Sequence, residues 1–514
     1  MSETVAARKS WLGDVLEHPL RWLLIWALLL VLLRLWSSPA LELDEAEQML
    51  WSQQLLWGYG AQPPLYTWLQ WGVSALLGPG LLALSVLKMG LLASTYAFIW
   101  RVAREALPPR MAWWAAASMV WLPVMGWESL RDLTHTVLVC CMVAATWWLV
   151  LRQLTQPSRM GYAWLGLVLA LGFLSKYSFA LFAVALGLAL LSGRDTRAML
   201  FGRGWWWLPL TAAGLLLPHL LWLLEHWQLA SRGTLKKLHL QPDASLWHGL
   251  SSLLVNGLLA NLLLWMLLAL LVFGRAWWRS AAVSPARSEQ ALPWLKPLLW
   301  RYLACVACLL LGMVIVGNVT QFKERWVHPL LIMVPLLAFL VRPSLELHPR
   351  GPWFTRTVLI GFLLFGSIFA ARPWLNTKMY RLDEINEPIA SLAHQLQRAG
   401  YDGRSPIVAS DGVLGGMLRS RFPQAPVTVC RPSALTDAPA CMLAARQAPW
   451  AAQPGSPSVL LVARHVEPDA DWWRAIGTSI SVQDVHTLQL PYLHAPATQL
   501  RYQYLWQQNL DRVD

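Results

Sequence analysis

Four carboxylates, Glu42, Asp44, Glu45 and Glu47, crowd the segment LELDEAEQ directly after an apolar run at residues 22–33. Drawn into hydrocarbon, each would cost ~2.5 to 3.5 kcal/mol, so they must face water or a polar cavity. Two roles suit them: capping a surface helix, as Asp does at helix starts, or taking a proton from a substrate hydroxyl. A second group, Arg131, Asp132 and His135, stands in WESLRDLTHTVL. The spacing predicts Asp132 and His135 one turn apart on one helical face, with N-cap of that helix as the alternative for Asp132. If carboxylates from these two distant segments meet on one membrane face, one can act as general base while the other orients a hydroxyl or a divalent cation. Cations complete the set: Lys176 with Tyr177 in LSKYS, Arg232, Lys236, Lys237 and His239 in a later loop, and Lys323 with Arg325 in QFKERW. Singly, each suits an anionic lipid headgroup; as a group facing carboxylates, they suit a phosphate leaving group.

The elements that must position these residues are membrane helices. The chain has 514 residues, 56% of them hydrophobic and only 13% charged, with 34 tryptophans, which excludes an ordinary soluble or disordered protein. Apolar runs recur near 22–33, 84–100, 112–125, 137–151, 163–174, 178–191, 205–224, 250–273, 302–317, 327–341 and 357–371. Each approaches the ~20 residues of a spanning helix, which predicts about eleven spans. The net charge of +13 is distributed through alternate gaps rather than pooled in one patch, which argues for topology and against nucleic acid. The basic gaps, for example Arg101 to Arg110 and Arg194 to Arg203, are then cytoplasmic, and Ser37 to Pro79, without Lys or Arg, is outside. Within that first outer loop the pattern predicts an amphipathic helix over Leu41 to Trp57, a break at Pro63 and Pro64, and a second helix beyond, with Trp51, Trp57, Trp68 and Trp71 at headgroup depth.

From Asn376 the texture changes, so we expect a membrane domain over residues 1–375 and a small extracytoplasmic α/β domain over 376–514. A helix should start at Asn386–Pro388 and stop at Gly400, and strands should follow at PIVAS, PVTVC, SVLLVAR and TSISVQDV. Asp411, Gly412, Gly415 and Gly416 lack the spacing of a dinucleotide fingerprint, and no cofactor is expected there. Cys140, Cys141, Cys305 and Cys308 lie in apolar runs, whereas Cys430 and Cys441 lie in the outer domain, where a disulfide between them is expected.

The motifs DEAEQ, QPPLYTWLQ, RD and LSK, in this order over roughly the first 180 residues, with KERWVHPLLIMVP further on, resemble the protein O-mannosyltransferase and lipid A aminoarabinose transferase superfamily of GT-C glycosyltransferases. The resemblance implies a polytopic GT-C enzyme that moves a sugar, with inversion, from a polyprenyl-phosphate carrier to an extracytoplasmic acceptor such as lipid A, lipopolysaccharide or another envelope glycan. It places the family's catalytic Asp on Asp44, with Glu45 beside it, and the second-loop Asp on Asp132. Members often carry Lys before the paired prolines; here Gln62 stands there, which shifts the carrier phosphate toward Lys88, Lys176, Arg232, Lys236, Lys237, Lys323 or Arg325. Tyr59, Gln62, Arg131, His135, Lys176, Tyr177, Lys323 and Arg325 thus form the candidate set for donor phosphate and substrate. No cofactor is required, though a divalent cation has room; the expected partners are the lipid-linked sugar, the bilayer and a glycan or glycolipid acceptor, with no nucleic acid. A transporter or flippase for a lipid-linked sugar is the rival, but it should show internal repeats and charges near the midplane. A sensor whose outer domain binds a ligand would have no use for the acidic and RD groups.

Overall fold

The computed structural model describes residues 15, 17–228, 230, 245–278, 292–430, 459–464, 472–473 and 485–507. Arg232, Lys236, Lys237, His239, Cys441 and all but the last residue of the expected strand TSISVQDV lie outside them. Helix covers every one of the eleven apolar runs, in three forms. Among the described residues seven helices are long and apolar enough to cross a membrane: Pro19–Ser37, Leu81–Ala106, Thr134–Thr155, Trp207–Glu225, Leu246–Trp277, Leu295–Ile315 and Gly351–Lys378. Two, Arg159–Ser175 and Phe179–Ser192, are apolar but shorter. The remaining two runs are broken: the first into Pro109–Ala117, a 3-10 turn and the π-helix Val124–Glu128, the second into Glu324–Leu331 and Val334–Leu340. Pro123 at the first break and Pro335 at the second each remove a backbone donor, which explains why the ladder is interrupted there.

The chain forms two compact units. The first comprises the described residues of Met1–Leu29, Leu56–Tyr66 and Lys88–Gly366; the second those of Leu30–Leu55, Thr67–Leu87 and Ser367–Asp514. In the first, aromatic edges fill the spaces between helices: Trp147 meets Tyr302 at 5.1 Å between ring centres, and Trp114 meets Phe354 at 5.4 Å. The expected helical face joining Asp132 to His135 is not formed. Helix Ser129–Arg131 stops, Asp132 is extended (φ −147°, ψ −147°), and Leu133 turns left-handed (φ 68°) before Thr134 starts the next helix, so Leu133 and not Asp132 is its N-cap. The buried Lys88 ammonium donates to Leu130 O at 3.2 Å, the carbonyl that a continuous helix would give to residue 134.

In the second unit five strands, β1 (Ile407–Ala409), β2 (Val427–Val429), β3 (Val459–Arg464), β4 (His486–Tyr492) and β5 (Ala495–Gln507), form one sheet of order β2-β1-β3-β5-β4. β1 pairs in parallel with β2 and β3, and β5 antiparallel with β3 and β4, in a register that sets Leu461 opposite Leu505 and Leu488 opposite Tyr502. Ile389–Arg398 is helical with Ile389, Leu392, Ala393 and Leu396 buried, and Gly400 follows it at φ 96°, as the pattern predicts. The first helix expected after the opening span is shorter than expected, Leu43–Trp51; the second, Leu65–Leu77, begins directly after the two prolines. Helix Gly412–Arg421 crosses Leu43–Trp51 so closely that a Cβ on Gly416 would lie 2.2 Å from Ala46 O, which gives the glycines after Asp411 a packing role. Asp411 itself caps that helix through Val413 N and Leu414 N.

Candidate active site

The acidic helix Leu43–Trp51 is held from beneath by buried ion pairs within the second unit. Arg34, fully buried, donates to Glu45 Oε2 at 2.6 Å, to Ala40 O at 2.7 Å and to Ser38 O at 2.9 Å. Glu45 also accepts from the Glu42 backbone N–H at 3.1 Å, closing the first turn. The cap is therefore Glu42, not Asp44. The Glu42 carboxylate pairs with Arg372, which also pairs with Asp383. Burial pushes Glu42 up to about 7, against the attraction of Arg372. Glu42 and Glu45 are thus buried inside the frame, while Asp44 and Glu47 are partly exposed. Leu41, Ala46 and Met49 pack into one apolar cluster with Leu392, Leu414 and Met417. Gln53 extends the anchorage by exchanging two hydrogen bonds with the Val427 backbone, at 3.0 and 2.9 Å.

In the first unit a second polar assembly gathers five of the expected residues. Tyr59 and Gln62 exchange backbone hydrogen bonds at 3.2 and 3.1 Å around Gly60, whose φ of 57° the tight turn requires. Just before it, His219 Nδ1 lies 2.5 Å from Trp57 O, and Tyr177 Oη lies 3.4 Å from His219 Nε2. A Cβ on Gly58 would strike the Trp222 ring at 2.3 Å, so the turn closes onto helix Trp207–Glu225 only with glycine there. Lys176 donates to Thr136 Oγ1 at 2.8 Å, and His135 Nδ1 lies 3.2 Å from Ser175 O. Tyr59, Gln62, Tyr177, Lys176 and His135 are therefore linked through His219 and the LSKY loop. Arg131 is engaged elsewhere, with Glu128 at 2.8 Å on a more exposed surface. Lys323 and Arg325 line a polar cavity of about 650 Å³ with His248, Ser251 and Asn256. Among the described residues no three His, Cys, Asp or Glu side chains gather into a metal-binding set. Cys430 is disulfide-bonded, and its expected partner lies outside the described residues.

The family model for dolichyl-phosphate-mannose-protein mannosyltransferases matches residues 61–222, the stretch that carries Gln62, Asp132 and Lys176. The lipopolysaccharide core galacturonosyltransferase RgtB of Rhizobium johnstonii is 30% identical over 495 residues, 92% of this chain and 94% of that protein. The chain belongs to the GT-C glycosyltransferase superfamily of protein mannosyltransferases and lipid A aminoarabinose transferases. It is a multi-pass membrane transferase. The core galacturonosyltransferase RgtA of the same organism is likewise 30% identical, over 78% of this chain and 79% of that one. ArnT from Cupriavidus metallidurans shares the transferase's fold at 14% identity, with a TM-score of 0.55 over 96% of this chain and 98% of that one; a second ArnT structure of equal score was solved bound to undecaprenyl phosphate. Sequence reasoning about the transferase passed over Arg34, Arg372 and His219 as parts of a site. Their signal was present: each is an ionisable residue within or at the end of an apolar run, where charge is costly and seldom idle.

Proposed function

We infer that the chain moves galacturonic acid from a polyprenyl-phosphate carrier to the core or lipid A of lipopolysaccharide, on the periplasmic side of the inner membrane. The observation that carries this reading is the kinship with a lipopolysaccharide core galacturonosyltransferase over 92% of the chain, spanning both the acidic helix and the C-terminal domain. In this reading residues 1–375 are the membrane catalytic domain, with the N-terminus in the cytoplasm, and residues 376–514 are periplasmic. Asp44 takes the proton of an acceptor hydroxyl as its oxygen bonds to the sugar's anomeric carbon from the side opposite the phosphate. The anomeric carbon–oxygen bond to the phosphate breaks, and the electron pair departs with the polyprenyl phosphate. Lys176, with Tyr177, Tyr59 and Gln62 around it, meets the charge that develops on that phosphate, and Lys323 and Arg325 supply a second anion-binding position. Asp132 and His135 orient the acceptor, while Glu45 fixes the helix that carries the base.

Purified protein in proteoliposomes, given polyprenyl-phosphate-linked galacturonic acid and lipopolysaccharide, should add one hexuronic acid to the acceptor by mass. Equal turnover with a neutral or amino sugar would contradict the donor assignment. Alkaline phosphatase fused after Ala371 should be active and fused near Arg197 inactive; the reverse pattern would contradict the assigned face.

A further inference from the structure

Beyond the transfer reaction, the first unit holds an apolar groove with a cation at the end remote from QFKERW. From Lys323 the chain runs through Glu324–Leu331 and Val334–Leu340 to Arg342, roughly 28 Å if wholly helical, about the thickness of the hydrocarbon core. An apolar groove of about 510 Å³ runs beside this segment. On Leu295–Ile315, Trp300, Leu303, Ala307 and Leu311 line it at helical spacing, and Val334, Leu337 and Val341 face them from the other wall. The stripe from Trp300 to Leu311 is ~16 Å long, half the hydrocarbon thickness, which is the reach of one leaflet.

Cations mark one end of this groove. Arg342 lines it directly. Its Nε donates to Trp277 O at 2.5 Å and its guanidinium lies 4.7 Å over the Trp277 ring. That bond uses Nε alone and leaves the two terminal nitrogens to a ligand. Trp300 lines the groove and also an adjoining cavity of about 550 Å³ that contains Lys296, one turn earlier on the same helix face. The half-leaflet apolar length, Arg342 in its lining, Lys296 in the adjoining cavity and an exposed Trp300 common to both match the shape and charge of a phospholipid.

We propose that this groove binds an anionic diacyl phospholipid of the leaflet at the Arg342 end, with its phosphate between Arg342 and Lys296 and one acyl chain along Trp300, Ala307 and Leu337. Charge decides against the polyprenyl carrier: a tail entering from the reaction face would end its apolar terminus among the cations.

Native mass spectrometry of the full-length protein in micelles, with phosphatidylglycerol and phosphatidylcholine of identical chains, tests the assignment. Wild type should retain phosphatidylglycerol preferentially, by about fivefold for each cation. Lys296→Gln should lose about fivefold of that preference and Lys296→Gln with Arg342→Gln nearly all of it. Ala307→Trp, which fills the groove and keeps both cations, should lose both lipids. Equal retention of the two lipids by wild type, or undiminished phosphatidylglycerol in Ala307→Trp, would overturn the proposal. So would one-for-one displacement of phosphatidylglycerol by undecaprenyl phosphate, which would assign the groove to the carrier's tail. None of these outcomes depends on the sugar donor, so a failure here leaves the transfer reading standing and the reverse is equally true.

Discussion

The acidic helix Leu43–Trp51 and the network around Lys176 use similar polar residues but anchor them differently. Around the helix, charge meets charge in the interior: Arg34 and Glu45 are each 1% exposed, and Arg372 and Glu42 are 7% and 6% exposed. Around Lys176, the contacts include a hydroxyl, backbone carbonyls and an imidazole. A buried ion pair fixes its backbone because neither ion can leave without stranding the other. The first arrangement suits a residue that must be presented at one place; the second ties the Tyr59–Gln62 turn, the LSKY loop and helix Trp207–Glu225 together through hydrogen bonds.

This contrast can be broken in order of expected effect. Arg34→Met strands the Glu45 carboxylate in the interior and should destabilise the second unit by about 3–5 kcal/mol in thermal or denaturant unfolding. Pairing it with Glu45→Gln should restore part of that loss, whereas a silent single variant would mean that the pair does not anchor the helix. Lys176→Met should raise the donor KM about tenfold or more, because a hydrogen bond to a charged group contributes ~1.5–3 kcal/mol.

Much of this arrangement was legible in the residues and some was not. Hydrophobic patterning marks where helix forms, because hydrocarbon demands apolar sequence, but among the described residues it does not separate the seven helices long enough to span from the shorter and broken ones; the 3.6-residue period together with Gly400 places Ile389–Arg398. The β4–β5 hairpin escaped notice: Pro491 and Pro496 interrupt an alternation whose members Leu490, Leu500 and Tyr502 are in fact buried. The break at Leu133 was hidden because a non-glycine residue at positive φ carries no composition signal, and Lys88, which takes the Leu130 carbonyl, is distant in sequence. The cap at Glu42 was hidden because four neighbouring carboxylates look interchangeable until burial distinguishes them.

Two smaller effects sharpen the comparison. Glu387 pairs with Arg464 at 3.0 Å, and Tyr502 donates to it at 3.1 Å. Burial nevertheless pushes its carboxyl from 4.5 up to about 7, against the attraction of Arg464. The folded value lies above the unfolded one, so this contribution to stability is complete below pH 4.5 and lost as pH rises through about 7. Melting of the second unit should therefore ease between those limits by something on the order of 1 kcal/mol, and Glu387→Gln should flatten the dependence. Arg131→Ala breaks a pair whose side chains are 40% and 24% exposed and should cost ~1 kcal/mol or less. A large loss there would mean that Arg131 does more than pair with Glu128.

The most direct test of the account is turnover of Asp44→Asn with polyprenyl-phosphate-linked galacturonic acid and lipopolysaccharide. Glu42 provides the cap and Glu45 the buried anchor, so the amide should leave folding and donor binding intact. Loss of the general base should lower turnover by ~10² to 10⁴. Wild-type turnover in this variant would contradict the assignment of Asp44 as the base.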